Sequence, residues 1–186
     1  NKYELLKIRL RDKAYRPATS DVDIRNLMGY FGDKGSSLER QEVYYYAGSV
    51  YRDLCDTPRA LEYFLKSLDY AQSGMVYDTV MLRNTYSNLH YLYYNVQDYG
   101  NAALMARNEL EVCRLLDSDR LIPYLHLCSS YIGLDSLSLA SAANDSAFNI
   151  FRASSVHERN NDNLVYVLYY YSKINNKLSG WRSCDD

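Results

Sequence analysis

One pattern returns four times along this chain and restricts its fold more than anything else in the sequence. It is a large aromatic or aliphatic residue, two others, two small or apolar residues, two others, then tyrosine. The copies are Tyr44-x-x-Ala47-Gly48-x-x-Tyr51, Tyr86-x-x-Leu89-His90-x-x-Tyr93, Tyr124-x-x-Leu127-Cys128-x-x-Tyr131 and Leu164-x-x-Val167-Leu168-x-x-Tyr171. Positions i, i+3, i+4 and i+7 share one helical stripe, which is what one helix needs to pack on another. The closing tyrosines Tyr51, Tyr93, Tyr131 and Tyr171 follow each other at intervals of 42, 38 and 40 residues. A motif with that period marks a solenoid, in which each unit needs a neighbour to cover its apolar face.

A small residue follows each closing tyrosine by nine positions: Ala60, Ala102, Ala140 and Gly180. On a second helix, a small side chain there allows close approach, and Phe64 lies one turn further on the same face. Helix boundaries agree with this reading. Ser36-x-x-Glu39 is a capping box that starts a first helix near Ser37, and Thr57-Pro58 sets a capping hydroxyl before proline at the start of the second. Gly74 and Gly133 sit where left-handed C-caps are expected, and Asp119 followed by Pro123 opens the third pair. Residues 3 to 14 and 20 to 32 read as a helix pair that matches the motif poorly. Asn163 to Leu178 reads as a fourth first helix, with only Gly180 to Asp186 left for its partner. The predicted division is a leading degenerate hairpin (1–35), repeats over 36–75, 76–117 and 118–156, and a partial repeat over 157–186.

These residues resemble the tetratricopeptide repeat (TPR) family. The stretch from Tyr44 to Leu68 matches best, carrying Tyr44, Gly48, Tyr51, Ala60 and Phe64 at the family's spacing. Ala106 and Asn144 replace the aromatic residue in the second and third copies, no copy has the closing proline, and the period exceeds the family's usual one. The resemblance implies an all-α, right-handed superhelical solenoid of antiparallel helix hairpins. It also implies that first helices line a concave face where an extended peptide is held. The positions carried over to that face are Glu42, Tyr45, Ser49, Arg52 and Asp53, then Asn84, Ser87, Tyr91, Tyr94 and Asn95, then Ile122, Leu125, Ser129, Ile132 and Gly133. The partner-binding set expected from them is Tyr45, Ser49, Arg52, Ser87, Tyr91, Tyr94, Asn95 and Ser129. The stretches LRDKAY (Leu10 to Tyr15) and EVYYYAGSVYRDL (Glu42 to Leu54) further resemble bacterial envelope lipoproteins in which such repeats precede a membrane helix and a coiled coil. That likeness implies an extracytoplasmic location.

Composition narrows the chemistry. Twenty-one basic against 23 acidic residues leave a net charge of −2 and no basic footprint for nucleic acid or anionic lipid. No stretch is apolar enough to insert directly in a membrane, and the polar start without Met suggests a piece of a longer chain. Tyrosine is in excess, 21 residues against four Phe and one Trp, and its amphipathic ring suits half-buried seams and grooves. Cys55, Cys113, Cys128 and Cys184 lack zinc-site spacing and read as packed free thiols. His90, His126 and His157 read as isolated packing or surface residues. Glu39, Glu42 and Asp53 read as solvated partners of Arg40 and Arg52. No catalytic motif is present, and no cofactor or metal is expected. The expected function is a non-catalytic protein or peptide interaction scaffold. The alternatives are a ligand-responsive regulatory domain of a membrane-anchored signalling protein, and self-association through the uncovered fourth helix.

Overall fold

Capping explains where the central helices begin. Ser36 Oγ accepts from the Glu39 amide while Glu39 Oε2 accepts from the Ser36 amide at 3.0 Å, so the capping box closes in both directions. It starts α3 (Ser37–Asp53) at the predicted residue. The next cap differs from expectation: Asp56, not Thr57, accepts the Arg59 amide at 3.1 Å and starts α4 (Thr57–Ser73), with Pro58 in the first turn. A carboxylate one residue earlier reaches the free amides and also faces the positive end of the helix dipole.

The structure, a computed structural model, describes residues 1–154 and 161–182, with Asn161 and residues 180–182 described by backbone alone. His157 and Cys184, and part of the predicted fourth repeat, lie outside the described residues. Within them the chain forms nine helices and no strand. Besides α3 and α4 these are α1 (Lys2–Lys13), α2 (Val22–Lys34), α5 (Thr79–Asn95), α6 (Tyr99–Leu115), α7 (Leu121–Gly133), α8 (Leu137–Ala153) and α9 (Asn161–Arg182). Contacts run mainly between helices adjacent in sequence, as in a helical repeat. No helix is long and apolar enough to cross a membrane among the described residues.

The chain divides into two units, Asn1–Leu92 and Tyr93–Asp186. In the first, α3 packs on α4, and residue pairs show the two helices running in opposite directions. Ser37 Oγ donates to the Tyr70 carbonyl (3.1 Å), Ser67 Oγ donates to the Gln41 carbonyl (2.9 Å), and Gly48 lies under the Phe64 ring. Tyr44, Ala47, Gly48 and Tyr51 form the predicted stripe, with Ala47, Gly48 and Tyr51 buried. Along the seam the tyrosines stack. Tyr44 lies between Tyr70 (5.5 Å) and Tyr63 (6.1 Å), Tyr63 stacks on Tyr51 (5.3 Å), and Arg40, Lys66 and Arg59 cover the rings. Such ring pairs each contribute about 1 kcal/mol beyond area burial. On the other side of α3, α2 brings Ile24, Leu27 and Phe31, all buried.

In the second unit, α6, α7, α8 and α9 pack in sequence order, and α7 also touches α9. One core cluster joins Ala106, Leu110, Leu127, Cys128, Ala140 and Ile174. A second joins Leu121, Leu125, Ala147, Phe151 and Val167.

A single turn accounts for the nine-residue step. Cys55, Gln97 and Asp135 are left-handed (φ 59°, 63° and 54°). The next residue's amide in each case donates back to the carbonyl of the closing tyrosine, Asp56 to Tyr51, Asp98 to Tyr93 and Ser136 to Tyr131, all at 2.9 Å. This is a Schellman turn, and the residue that closes it is at once the N-cap of the following helix. The small residue then falls in the first turn, where it is fully buried in all three cases. Tyr171 is different, because α9 continues past Gly180 to Arg182 without a turn.

The glycines do not provide the left-handed caps expected of them. Gly74 is extended (φ −84°, ψ 143°), and among the described residues no glycine has positive φ. Gly74 is required because a β-carbon there would strike Ser37 Oγ and the Tyr70 carbonyl. Gly133 ends α7, where a β-carbon would come within 2.5 Å of the Tyr99 ring.

The capping box carries a pH signature. Hydrogen bonds from the Ser36 amide, then Lys2 and the Ser36 hydroxyl, lower the Glu39 carboxyl from its ordinary value of 4.5 to about 2. A depressed folded value means that Glu39 stabilises the fold fully above pH 4.5 and loses that contribution as the pH falls to about 2. The urea midpoint of the wild type is expected to drop more than that of Glu39→Gln across this window and to run parallel to it at neutral pH. Parallel curves throughout would show that the box is not formed.

Candidate functional site

In the first unit the middle turns of α3 are flanked by α1 and the start of α5, and a shallow cleft of about 130 Å³ opens there. Its floor is made of Tyr45 and Tyr46. Its edges are Arg9, Asp12 and Lys13 on one side and Asp78 and Asn84 on the other. The two rings meet edge to face at 5.1 Å, and Phe64 closes the other edge of Tyr45 at 5.6 Å. Burial pushes both phenols above their ordinary value, so each remains a neutral hydroxyl. A clamp fixes the loop that leads into α5. The fully buried Gln41 amide donates to the Asp78 carbonyl (3.0 Å) and accepts the Asp78 amide (2.8 Å), while Asp78 Oδ1 caps Met81.

Arg52 joins three helices beside this cleft. Its guanidinium donates to Asp53 Oδ1 (2.9 Å), Asn88 Oδ1 (2.6 Å) and, at 3.5 Å, Asp12 Oδ1. Asp53 Oδ2 accepts the Ala18 amide (2.9 Å), which ties down the loop between α1 and α2. Arg52 thus holds α1, α3 and α5 in register. A neighbouring hollow of about 170 Å³ is lined by Asp12, Tyr15, Arg16, Pro17, Arg52 and Asp53.

The structure distributes the expected partner-binding residues unevenly. Tyr45 is 7% exposed and forms the cleft floor, Ser49 is buried beside it, and Arg52 is half-buried in its network. On α5, Ser87 is half-buried and Tyr91 is 54% exposed, on the same face as Asn84 one and two turns away. In the second unit Tyr94 is half-buried against Tyr99 (5.4 Å), Asn95 is exposed at the end of α5, and Ser129 is buried with its hydroxyl donating to the His126 carbonyl (2.9 Å). Asn88 and Asp12 were missed by repeat positions. Asn88 could have been found four residues after Asn84 on one helical face.

Several charged residues have partners other than those expected. Glu39 pairs with Lys2 (2.9 Å) and Glu42 with Arg9 (3.4 Å), whereas Arg40 donates to the Asp33 carbonyl (3.4 Å) and covers Tyr70. His126 is not isolated: its Nδ1 lies 2.8 Å from Oε2 of the buried Glu109. His90 is buried in α5. Cys55 is exposed, Cys113 and Cys128 are buried, and burial raises the Cys128 thiol to about 12.

Among the described residues no three His, Cys, Asp or Glu side chains gather as a metal ion would require. Compared with models of protein families, with curated proteins and with solved structures, the chain matches none.

Proposed function

We propose that this chain is a non-catalytic interaction module of the TPR type, a right-handed superhelix of antiparallel hairpins that binds an extended segment of a partner protein. The single observation that carries this reading is the cleft between α1, α3 and α5. Neutral phenol rings form its floor, and Asn84, Arg9, Lys13 and Asp12 surround it with donors and acceptors. Rings of this kind cover apolar side chains, and flanking amides and charges satisfy a peptide's backbone groups. Tyr91 extends the same α5 face with an exposed ring. The likeness of the LRDKAY and EVYYYAGSVYRDL stretches to envelope proteins supports an extracytoplasmic setting.

The test is affinity capture from a bacterial envelope fraction with this chain as bait, followed by calorimetry on the captured partner. Asn84→Ala and Tyr91→Ala are each expected to weaken binding by about tenfold. Glu62→Ala, on the exposed face of α4, is expected to leave binding unchanged. Equal affinities for all three variants would eliminate this cleft as the binding site.

A further inference from the structure

The last helix carries a pattern that the repeat does not require. α9 is held to its own unit along one face. Val167 and Ile174 are buried, Asn144 Nδ2 donates to the Val167 carbonyl (3.0 Å), Tyr171 donates to Asp145, and Lys177 donates to the Ile132 carbonyl (3.1 Å). These contacts turn a different stripe outward: Asp162, Tyr166, Tyr169 and Lys173, all exposed, with the two rings at 54% and 48%. The intervals along this stripe are four, three and four residues, so it has the same spacing read from either end.

We propose that this stripe is a self-complementary surface on which a second copy of the chain docks, the two α9 helices lying antiparallel about a two-fold axis between Tyr166 and Tyr169. Reversal about that point sets Asp162 of one copy against Lys173 of the other, twice, and Tyr166 against Tyr169, twice. A contact in which the same patch serves both partners is the ordinary form of a two-fold interface, with aromatic anchors at the centre and charges at the rim. Charge selects the orientation. A parallel pairing would oppose Asp162 to Asp162 and Lys173 to Lys173.

Two further observations favour a second copy as the occupant. The Lys173 ammonium lies 4.9 Å above the Tyr169 ring, so the charge is held on the stripe by its own tyrosine. Beside the stripe, Leu168 is 55% exposed, although the matching Gly48 and Cys128 are buried, and Val165 is 63% exposed. Apolar surface therefore flanks the tyrosines at the middle of the helix, where an antiparallel partner would cover it. Four stripe residues with Val165 and Leu168 beside them make a small contact, and contacts of that kind are weak. This contact stands independently of the cleft between α1, α3 and α5.

Sedimentation velocity over about 1 to 500 µM should show a monomer–dimer equilibrium with a dissociation constant of about 10 to 100 µM at low salt. Lys173→Asp and Asp162→Lys should each weaken it by at least about tenfold, and Tyr166→Ala, which keeps both charges, should weaken it comparably. An equimolar mixture of Lys173→Asp with Asp162→Lys should regain the dimer, because in the mixed pair both acid–base contacts are restored. Circular dichroism checks that each variant folds, and Tyr166→Ala serves if Asp162→Lys disturbs the first turn of α9. A wild type that stays monomeric at about 500 µM, as expected if a peptide or another protein's helix is the true occupant, overturns the proposal. So does a dimer insensitive to both charge swaps, or a mixture that fails to recover.

Discussion

Truncating Phe64 to alanine is expected to lower the unfolding free energy by about 4 kcal/mol, more than any substitution on the seam surface. The ring is fully buried, and it is centred on Gly48: a β-carbon built there would stand 2.6 Å from Cγ and 2.7 Å from both Cδ atoms. Tyr45 meets the same ring edge-on. Gly48 itself costs the helix about 1 kcal/mol relative to alanine, so its presence is explained by the approach it permits. Gly48→Ala should nevertheless destabilise by about 2 kcal/mol, because the methyl must displace the ring. In the Gly48→Ala/Phe64→Ala double variant the methyl enters the space that the ring has left. The double loss should therefore be smaller than the two single losses added together, by about 1 kcal/mol or more. Urea unfolding followed by circular dichroism measures all three. Strict additivity, or a loss below about 1 kcal/mol for Phe64→Ala, would mean that ring and glycine do not pack as described.

Local chemistry was the most legible part of this chain. The Ser36–Glu39 box needs only four consecutive residues and forms as read. The nine-residue step from Tyr51 to Ala60 was visible as spacing, but its cause was not. The left-handed position is taken by Cys55, Gln97 and Asp135, of which only aspartate belongs to the residue types that favour it. Gly74 and Gly133 carried the stronger signal and misled, because glycine serves close approach as readily as positive φ. In the same way Thr57 lost the cap to Asp56, since the turn places Asp56 where its carboxylate meets the first free amides.

The site was less legible, because repeat offsets assign a helical face without saying how closely neighbours approach it. Tyr45 and Ser49 fall on the expected face of α3, yet α1 and the start of α5 flank it closely enough to bury both. Arg52 reads as the one cation among the carried-over positions, with nearby carboxylates such as Asp53 as solvated partners. In space Asp12, Asp53 and Asn88 arrive from three helices to engage it. Carrying the offsets into the fourth copy would have marked Tyr169 and Lys173, which the partner-binding set expected from the first three copies leaves out.

The second large effect is expected at Glu109 and His126, which no sequence offset connects. Glu109 lies on α6 with its side chain 5% exposed, and His126 Nδ1 from α7 is 2.8 Å from its carboxylate. The Glu109 side chain depends on this partner, because a buried polar group left without one is strongly unfavourable. His126→Leu should therefore cost about 3 to 5 kcal/mol, which is the penalty of stranding Glu109 rather than the net strength of the pair. Removing both charges reverses the expectation: Glu109→Leu/His126→Leu should recover to within about 1 kcal/mol of the wild type, since two apolar residues of similar size bury without desolvation cost. Glu109→Gln should fall between, keeping an acceptor for the ring at lower charge. The informative quantity is the coupling energy from the full cycle, measured by urea denaturation. A value near zero would show that solvent reaches Glu109 and that α6 and α7 are held by their apolar cluster of Ala106, Leu110 and Leu127 alone. A large value would make this pair the polar constraint that fixes the register of α6 on α7, because sliding either helix by one residue breaks the 2.8 Å contact between Glu109 Oε2 and His126 Nδ1.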